Sequence, residues 1–364
     1  MTGGTLKAFR APEPDELLSS WLIRNALIFG CDPLVLTGHL WPGERIWKRD
    51  IDRRLASSQI TRLLLTTPFD ETTVRATQLT HTIERFALPV SWNCPIIPWL
   101  VPVGSRNLKR TISVSYCPQC LSEDPTPYLR RAWRFAWHFA CPKHNIYLQA
   151  MCNQCNAPLE PQRLHGAHES MAFCASCCND LRSGDRIFCD NTKVNVILWL
   201  DTVLSSNFGK IEGNLVPAAS YFEHLRLLIR LVRAASRNEK SAAARAMARL
   251  NLNPPLLISQ SRLEILVPQK RAELLYAATR LCELEAGKIM NALLDAGVTR
   301  SSDLRPLAGA HCALHEFWWQ LPASRPALRQ QRSNKTGIER RPRSRRYVER
   351  EWERVTSKAR RVNA

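Results

Sequence analysis

Eight metal-type ligands stand between Cys117 and Cys177 in four close pairs: Cys117-Pro-Gln-Cys120, Cys141-Pro-Lys-His144, Cys152-Asn-Gln-Cys155 and Cys174-Ala-Ser-Cys177. Two residues separate the members of each pair, so one tight turn can aim both side chains at a single ion. Zinc takes four such ligands tetrahedrally, and two pairs about twenty residues apart are the usual way to supply them. Order along the chain suggests one site from the first two pairs and one from the last two; an interleaved pairing is the alternative. Disulfides and redox chemistry fit less well. The 13 cysteines are odd in number, His144 completes a tetrad that no disulfide scheme uses, and the opening MTGGTLKAFRAPEPDELLSSW has no apolar signal-peptide core. Both tetrads are full and leave no open position for a catalytic water, so the reading is two structural zinc ions. His138, His165, His168 and Cys178 lie nearby as spares, and Cys178 could exchange with Cys177.

The chain is long enough for two or three domains, and no run of about 18 apolar residues suggests a membrane span. A cytoplasmic protein, nucleoid-associated when bound to DNA, is expected. With 51 Lys and Arg against 32 Asp and Glu the net charge is +19, which favours a polyanionic partner, because neutralising phosphates releases condensed counterions. From Arg329 onward 13 basic residues meet 4 acidic ones, and RRPRSRRYVER contains little that could form a core. It reads as a basic arm with Arg340, Arg341, Arg343, Arg345 and Arg346 as DNA contacts; a solvated tail of no specific role is the alternative.

The expected fold is mainly α with small zinc-stabilised modules. A helical N-terminal domain with helix-turn-helix-like elements covers 1–115, tandem zinc fingers 116–190, a helical domain 191–328 and a basic flexible tail 329–364. Asp15 is a plausible N-cap; Leu18, Trp21, Leu22 and Ala26 fall on one helical face, and Gly30 ends the run. Pro33 opens a short second helix. ASSQITRLLLTT and ETTVRATQLT, separated by Pro68-Phe69-Asp70, form a helix pair that could present Arg75 and Gln78 to a major groove, or serve only as core. ALPVSWNCPIIPWLVPVGSRNLKR reads as a packed connector.

Between the first two ligand pairs Tyr128, Trp133, Phe135 and Trp137 interleave with Arg130, Arg131 and Arg134. That mixture suits phosphate and base contacts, and equally a small domain packing its aromatics around a metal. Beyond 191 the chain turns helical, with VNVILWL as buried helix. Around Tyr221 to Ala235 an apolar stripe of Leu225, Leu228, Ile229 and Val232 runs beside Arg226, Arg230, Arg233 and Arg237, which suit phosphates or a solvated face. Pro254-Pro255 breaks the run. KRAELLYAATRLCELEAGKIMNALLDAGVTRSSDL reads as two further helices, with Gly297 at a C-cap and Thr299 or Ser301 capping the next segment. No glycine-rich phosphate loop, nucleophile elbow or His-Glu-x-x-His helix is present.

PEPDELLSSWLIRNALIFG, WKRDIDRR and above all YCPQCLSEDPTPYLRRAWRFAWHFACPKHNIYLQAMCNQC resemble the TniQ family, which includes the related TnsD target selectors of bacterial transposons. The specific part is Tyr116, the ligands Cys117, Cys120, Cys141 and His144, and Tyr128-x-Arg-x-x-Trp133-Arg134 between them. Asp15 to Trp21 with Arg24 matches the family's helical entry motif. The likeness runs from about Pro12 through Leu181 and more loosely into LLYAATRL and DAGVTRSSDL; WKRDIDRR and the C-terminal half bring it nearest to the branch of mercury-resistance-type elements. One departure is Cys178, where the family often has Gly after the last ligand. The resemblance implies a non-enzymatic adaptor that recognises target DNA, or a guide complex bound there, and recruits an AAA+ ATPase of the TniB/TnsC kind that activates a DDE transposase. Direct contact with double-stranded DNA is favoured over a CRISPR effector, and a homodimer is possible. The competing readings are a zinc-containing nuclease or recombinase and a zinc-dependent transcriptional regulator.

Overall fold

In the computed structural model the described residues are 8–86, 94, 96–103, 114–253, 262–300, 319–323, 349 and 352. Residues 1–324 form one compact unit and 325–364 a second, of which only Glu349 and Trp352 are described. The tail arginines Arg340, Arg341, Arg343, Arg345 and Arg346, and Ser301, therefore lie outside the described residues.

The first unit begins with α1 (Leu18–Ile28), which is buried over nearly its whole surface. Leu18, Trp21, Leu22 and Ala26 face a small N-terminal core with Phe9, Leu36, Leu40, Trp41 and Leu63, while Leu17 and Ile23 face the main core. The helix is thus a partition between two apolar clusters. Its polar residues are satisfied internally: Arg24 donates to Glu16 at 2.7 Å and to the Ala11 carbonyl at 2.6 Å, and Ser20 donates to Glu16 at 2.8 Å. Gly30 (φ +65°) ends the segment in the left-handed conformation that suits glycine. Asp15 does not cap this helix. It sits three residues upstream at φ +59° and accepts instead from Ala132 N (3.0 Å) and Arg131 Nε (3.1 Å).

After α2 (Pro33–Leu40), α3 (Ser57–Thr66) packs against α4 (Glu71–Ala76), which Asp70 caps through Thr73 N at 2.8 Å. ETTVRATQLT is not one helix: α4 stops at Ala76, and α5 (Thr80–Phe86) starts anew. Within the expected connector, Ile97, Trp99 and Leu100 are buried in the main core. Then α6 (Pro118–Glu123) leads to a two-stranded hairpin, β1 (Ala140–Cys141) with β2 (Ile146–Tyr147), registered Ala140↔Tyr147.

The C-terminal half is helical: α7 (Asn191–Ser206), α8 (Ala218–Arg237), α9 (Ala242–Arg249), α10 (Pro268–Cys282) and α11 (Ala286–Asp295), with Gly297 at φ +72° just beyond the last. A hairpin interrupts the helices expected beyond residue 191. Phe208–Ile211 (β3) pairs antiparallel with Asn214–Pro217 (β4), and Glu212 and Gly213 both take positive φ (51° and 80°) at the turn. Two consecutive positive φ values are what a tight hairpin loop requires. VNVILWL lies in α7, but Leu198 and Trp199 face outward, and the Trp199 indole donates to Tyr221 Oη at 2.9 Å.

The main core is continuous from Leu17 through the Cys-rich segment to α8, α10 and α11. Trp99, Trp137 and Phe222, drawn from the connector, the Cys-rich segment and α8, meet with ring centroids 5.2–6.2 Å apart.

Candidate metal centres

The first two ligand pairs converge on one point and the last two on another, so the pairing follows chain order. In the first centre His144 Nδ1 lies 3.4 Å from the sulfurs of Cys117, Cys120 and Cys141, and Cys120 Sγ is 3.6 Å from Cys141 Sγ. In the second, Cys152 and Cys177 are 3.7 Å apart, as are Cys155 and Cys174. A tetrahedron with zinc–sulfur bonds of about 2.3 Å has sulfur–sulfur edges of about 3.8 Å, and a nitrogen ligand at about 2.05 Å shortens its edges slightly. Both donor sets match that spacing, and each cluster could hold one metal ion.

Local backbone explains how the pairs are held. Cys117 precedes α6, whose first residue is Pro118, so the pair 117/120 is borne on a helix start. The other three pairs share one turn. Asn145 N donates to the Cys141 carbonyl (2.8 Å), Asn156 N to that of Cys152 (3.0 Å) and Cys178 N to that of Cys174 (2.8 Å). Each of these three residues has positive φ, at 53°, 53° and 57°. Asn tolerates the left-handed region better than other non-glycine residues, while Cys there is strained. Cys178 thus fills the turn, Cys177 faces the centre, and the Cys178 thiol points instead toward His168 Nε2 at 3.7 Å.

The two centres differ in surroundings. Cys117, Cys120 and Cys141 are buried in the main core, whereas Cys155 and Cys177 are exposed. In the first, hydrogen bonds from the thiols of Cys117 and Cys120 hold the Cys141 thiolate down to about 2, while the same crowding pushes Cys120 far up. His144 turns its other nitrogen, Nε2, to Glu123 Oε2 at 3.0 Å. Donors from Lys143, Gln119 and His144 hold the Glu123 carboxyl down to about 2. A carboxylate behind a ligand histidine fixes the ring's tautomer and direction. Glu123 was invisible as a partner in the sequence, although it falls three residues after Cys120 at the end of the same short helix. Tyr116 ties the centres together: its N–H and O–H donate to the carbonyl and side chain of Gln149, each at 2.8 Å, two residues before Met151-Cys152.

The expected DNA-contacting side chains are dispersed. Arg75 is exposed on α4 and pairs with Glu71 at 2.5 Å. Gln78, expected beside it on the exposed side, is 2 % exposed, beyond the end of α4, and accepts from Leu55 N. Arg134 is 0 % exposed: its guanidinium binds Asp50 at 2.5 Å and Asp52 at 3.0 Å, because those two buried carboxylates from the N-terminal segment need a cation. Arg130 is half-buried, pairs with Asp124 at 2.7 Å and lies 4.3 Å from the Tyr128 ring centroid and 4.8 Å from that of Trp133; Arg131 reaches Asp15. The aromatics between the first two ligand pairs are core: Phe135 stacks on Trp137 with centroids 4.7 Å apart. Arg226, Arg230 and Arg233 come together on one side of α8.

Residues 8–148 match the model of the TniQ family. Over that span the chain is similar to the TniQ family. The span takes in α1 to α6, the first hairpin and all four ligands of the first centre, and it stops before Cys152, so the second centre and α7 to α11 lie beyond it. The likeness is to a family associated with transposition. No curated protein matches the chain. Among the described residues no helix is long and apolar enough to cross a membrane.

Proposed function

We propose that this protein is a non-enzymatic target-selection adaptor for transposition: it binds double-stranded target DNA and recruits an AAA+ ATPase and, through it, a DDE transposase. The observation that carries the reading is the TniQ match over 8–148, whose span encloses a complete metal-ligand tetrad. Two zinc ions, one per tetrad, have structural roles. Four protein ligands at each leave no coordination site for water or substrate, which argues against a zinc-containing nuclease or recombinase that works through these two ions.

The net charge of +19 supports DNA as a partner. Contacts fall to Arg75 on α4, to Arg226, Arg230 and Arg233 on α8, and to the tail arginines Arg340, Arg341, Arg343, Arg345 and Arg346. Arg130 and Arg131, already ion-paired, contribute at most an exposed edge, while the burial of Gln78 and Arg134 gives them structural work instead. The six-residue α4 is about 9 Å long, enough to offer one turn to a groove. Direct DNA contact, rather than a CRISPR effector, is the favoured route to the target.

The test is a binding titration of the full chain on target and scrambled duplexes, with and without the ATPase, alongside incubation with magnesium or manganese. Target-dependent recruitment of the ATPase is expected. Metal-dependent strand cleavage by the chain alone, or no association with either DNA or ATPase, would overturn the adaptor reading.

A further inference from the structure

A cleft of about 230 Å³ opens between α8 and the segment 262–264. Among the described residues its walls carry Arg226, Arg230 and Arg233 from α8 and Arg262 from the facing segment, with one carboxylate, Glu264, in the lining, and Glu223 on α8 also attracts Arg226. Glu264 is itself buried and accepts from Trp99 N at 3.0 Å, so part of its acceptor capacity is taken up by the backbone. The lining is therefore strongly cationic, and it is concave rather than a flat solvated face. Burial first, then mutual repulsion, lowers the pKa of Arg230, and burial lowers those of Arg226 and Arg233. Four guanidinium groups thus lie together in one concave site.

We propose that this cleft is a phosphate subsite that seats adjacent backbone phosphates of one nucleic-acid strand. The inference rests on the DNA-binding reading above and adds where, and by which chemistry, a strand is gripped. Guanidinium forks match phosphate oxygens in bidentate geometry. From Arg226 to Arg233 the helix advances about 10 Å, whereas phosphates along one strand recur every 3.4 Å of axial rise, so the row spans more than one phosphate. Arg262 answers from the opposite wall, which a helix lying on a duplex surface does not supply. Among the described residues no aromatic ring lines the cleft, so they offer no stacking platform for a base, and the cleft is smaller than the pockets that hold drug-sized ligands. The backbone is the part of a nucleic acid that fits. Non-specific grip here is separate from any sequence reading elsewhere.

The experiment uses the full chain with a random-sequence duplex, pyrophosphate as a minimal two-phosphate competitor, and a poly-glutamate peptide as an acidic-protein mimic. Pyrophosphate should displace the duplex from the wild type. The double variant Arg230→Gln/Arg262→Gln should lose that competition and flatten the dependence of log affinity on log salt by about 2, one unit per lost phosphate contact. A melting temperature equal to that of the wild type shows that the variant is folded. If the melting temperature falls, Arg262→Lys, which keeps the charge of an exposed residue and loses the fork, should keep the slope and weaken pyrophosphate competition. Wild-type duplex binding with an unchanged slope and unchanged competition in the variants would overturn the subsite while leaving the adaptor reading intact. Displacement by poly-glutamate but not by pyrophosphate would also overturn it, assigning the cleft to an acidic protein segment. A wild type that binds no duplex at low salt would overturn the DNA reading itself.

Discussion

Arg134 Nη1 donates to Asp52 Oδ2 at 3.0 Å across 82 residues of sequence, in a site where both side chains are buried. Asp50 binds the same guanidinium, and Ser19 at the start of α1 donates both its N–H (2.7 Å) and its hydroxyl (2.9 Å) to Asp52. The cluster fastens the Cys-rich segment to the N-terminal helices. Removing the cation strands two buried carboxylates, so Arg134→Met should cost about 3–5 kcal/mol. Denaturant unfolding of purified protein measures it; a loss under about 1 kcal/mol would show that the carboxylates find water or protons instead.

Both tetrads should fill with zinc, two ions per chain by elemental analysis of freshly purified protein. Apparent binding free energies on the order of 10 kcal/mol per structural site mean that Cys117→Ser or Cys152→Ser unfolds the middle of the chain. Exposure separates the two ions kinetically. A chelator with a colour readout should extract the ion held by Cys155 and Cys177 first, in a resolved fast phase, and the core ion in a slower one. A single phase releasing both ions together would contradict this.

Cys178 should be dispensable for metal and poor for the backbone. At φ +57° a cysteine is strained in a conformation that Asn takes readily at the matching positions Asn145 and Asn156. Cys178→Asn should keep two zinc ions and raise stability by up to about 1 kcal/mol. Loss of one ion in that variant would make Cys178, not Cys177, the eighth ligand.

Glu123→Gln should leave the fold in place and weaken retention of the first ion by about 10–100-fold, the usual consequence of removing a carboxylate behind a ligand histidine. Competition against a zinc chelator of known affinity reads this directly, and wild-type retention would reduce Glu123 to a surface ion pair with Lys143.

Stability should fall in mild acid through His224 on α8. Burial pushes its imidazole down to about 4 from 6.5, and its Nδ1 has no partner. Between those values the unfolded chain binds more protons than the folded one, so stability present above pH 6.5 is lost as pH drops toward 4. Asp52, raised to about 6 by burial against the pull of Arg134, works in the opposite sense over the same range. His224→Leu isolates the histidine: on going from pH 7 to about pH 5 it should lose about 2 kcal/mol less than the wild type. Equal losses would place the acid sensitivity elsewhere.

What the sequence disclosed was local. Ligand pairs lie within four residues of each other, so their spacing could be read directly, as could Leu18, Trp21, Leu22 and Ala26 on one face of α1. Glycines at Gly30 and Gly297 marked helix ends through a backbone angle that few other residues take. What escaped depends on partners far along the chain. Arg134 resembles a nucleic-acid contact until Asp50 and Asp52 are seen beside it, and Asp15 resembles a helix cap until Arg131 and Ala132 arrive 116 and 117 residues later. The β3–β4 hairpin was hidden for a different reason. Its four-residue strands are too short for a period to stand out between two long helices, though Glu212-Gly213-Asn214 carried a turn signal. Gly209 in β3 is also tertiary in origin, since a Cβ there would meet the Tyr221 ring at 2.5 Å.

Several bonds that seat α1 and α2 join residues more than a hundred positions apart: Ser20 accepts from Leu129 N at 2.9 Å, and Asp32 accepts from Gly166 N at 2.7 Å, where any Cβ would strike the Gly30 carbonyl. A chain made from its N-terminus at about 5–20 residues per second leaves the first helices without those partners for roughly 5–25 s. During that interval the side of α1 that carries Ile23 is bare: the N-terminal core on its other face is complete by Val74, but the main core is not yet made. Newly made N-terminal segment is thus a natural client for whatever shields nascent chains, and a fragment ending near residue 86 should be recovered as aggregate rather than as a folded domain.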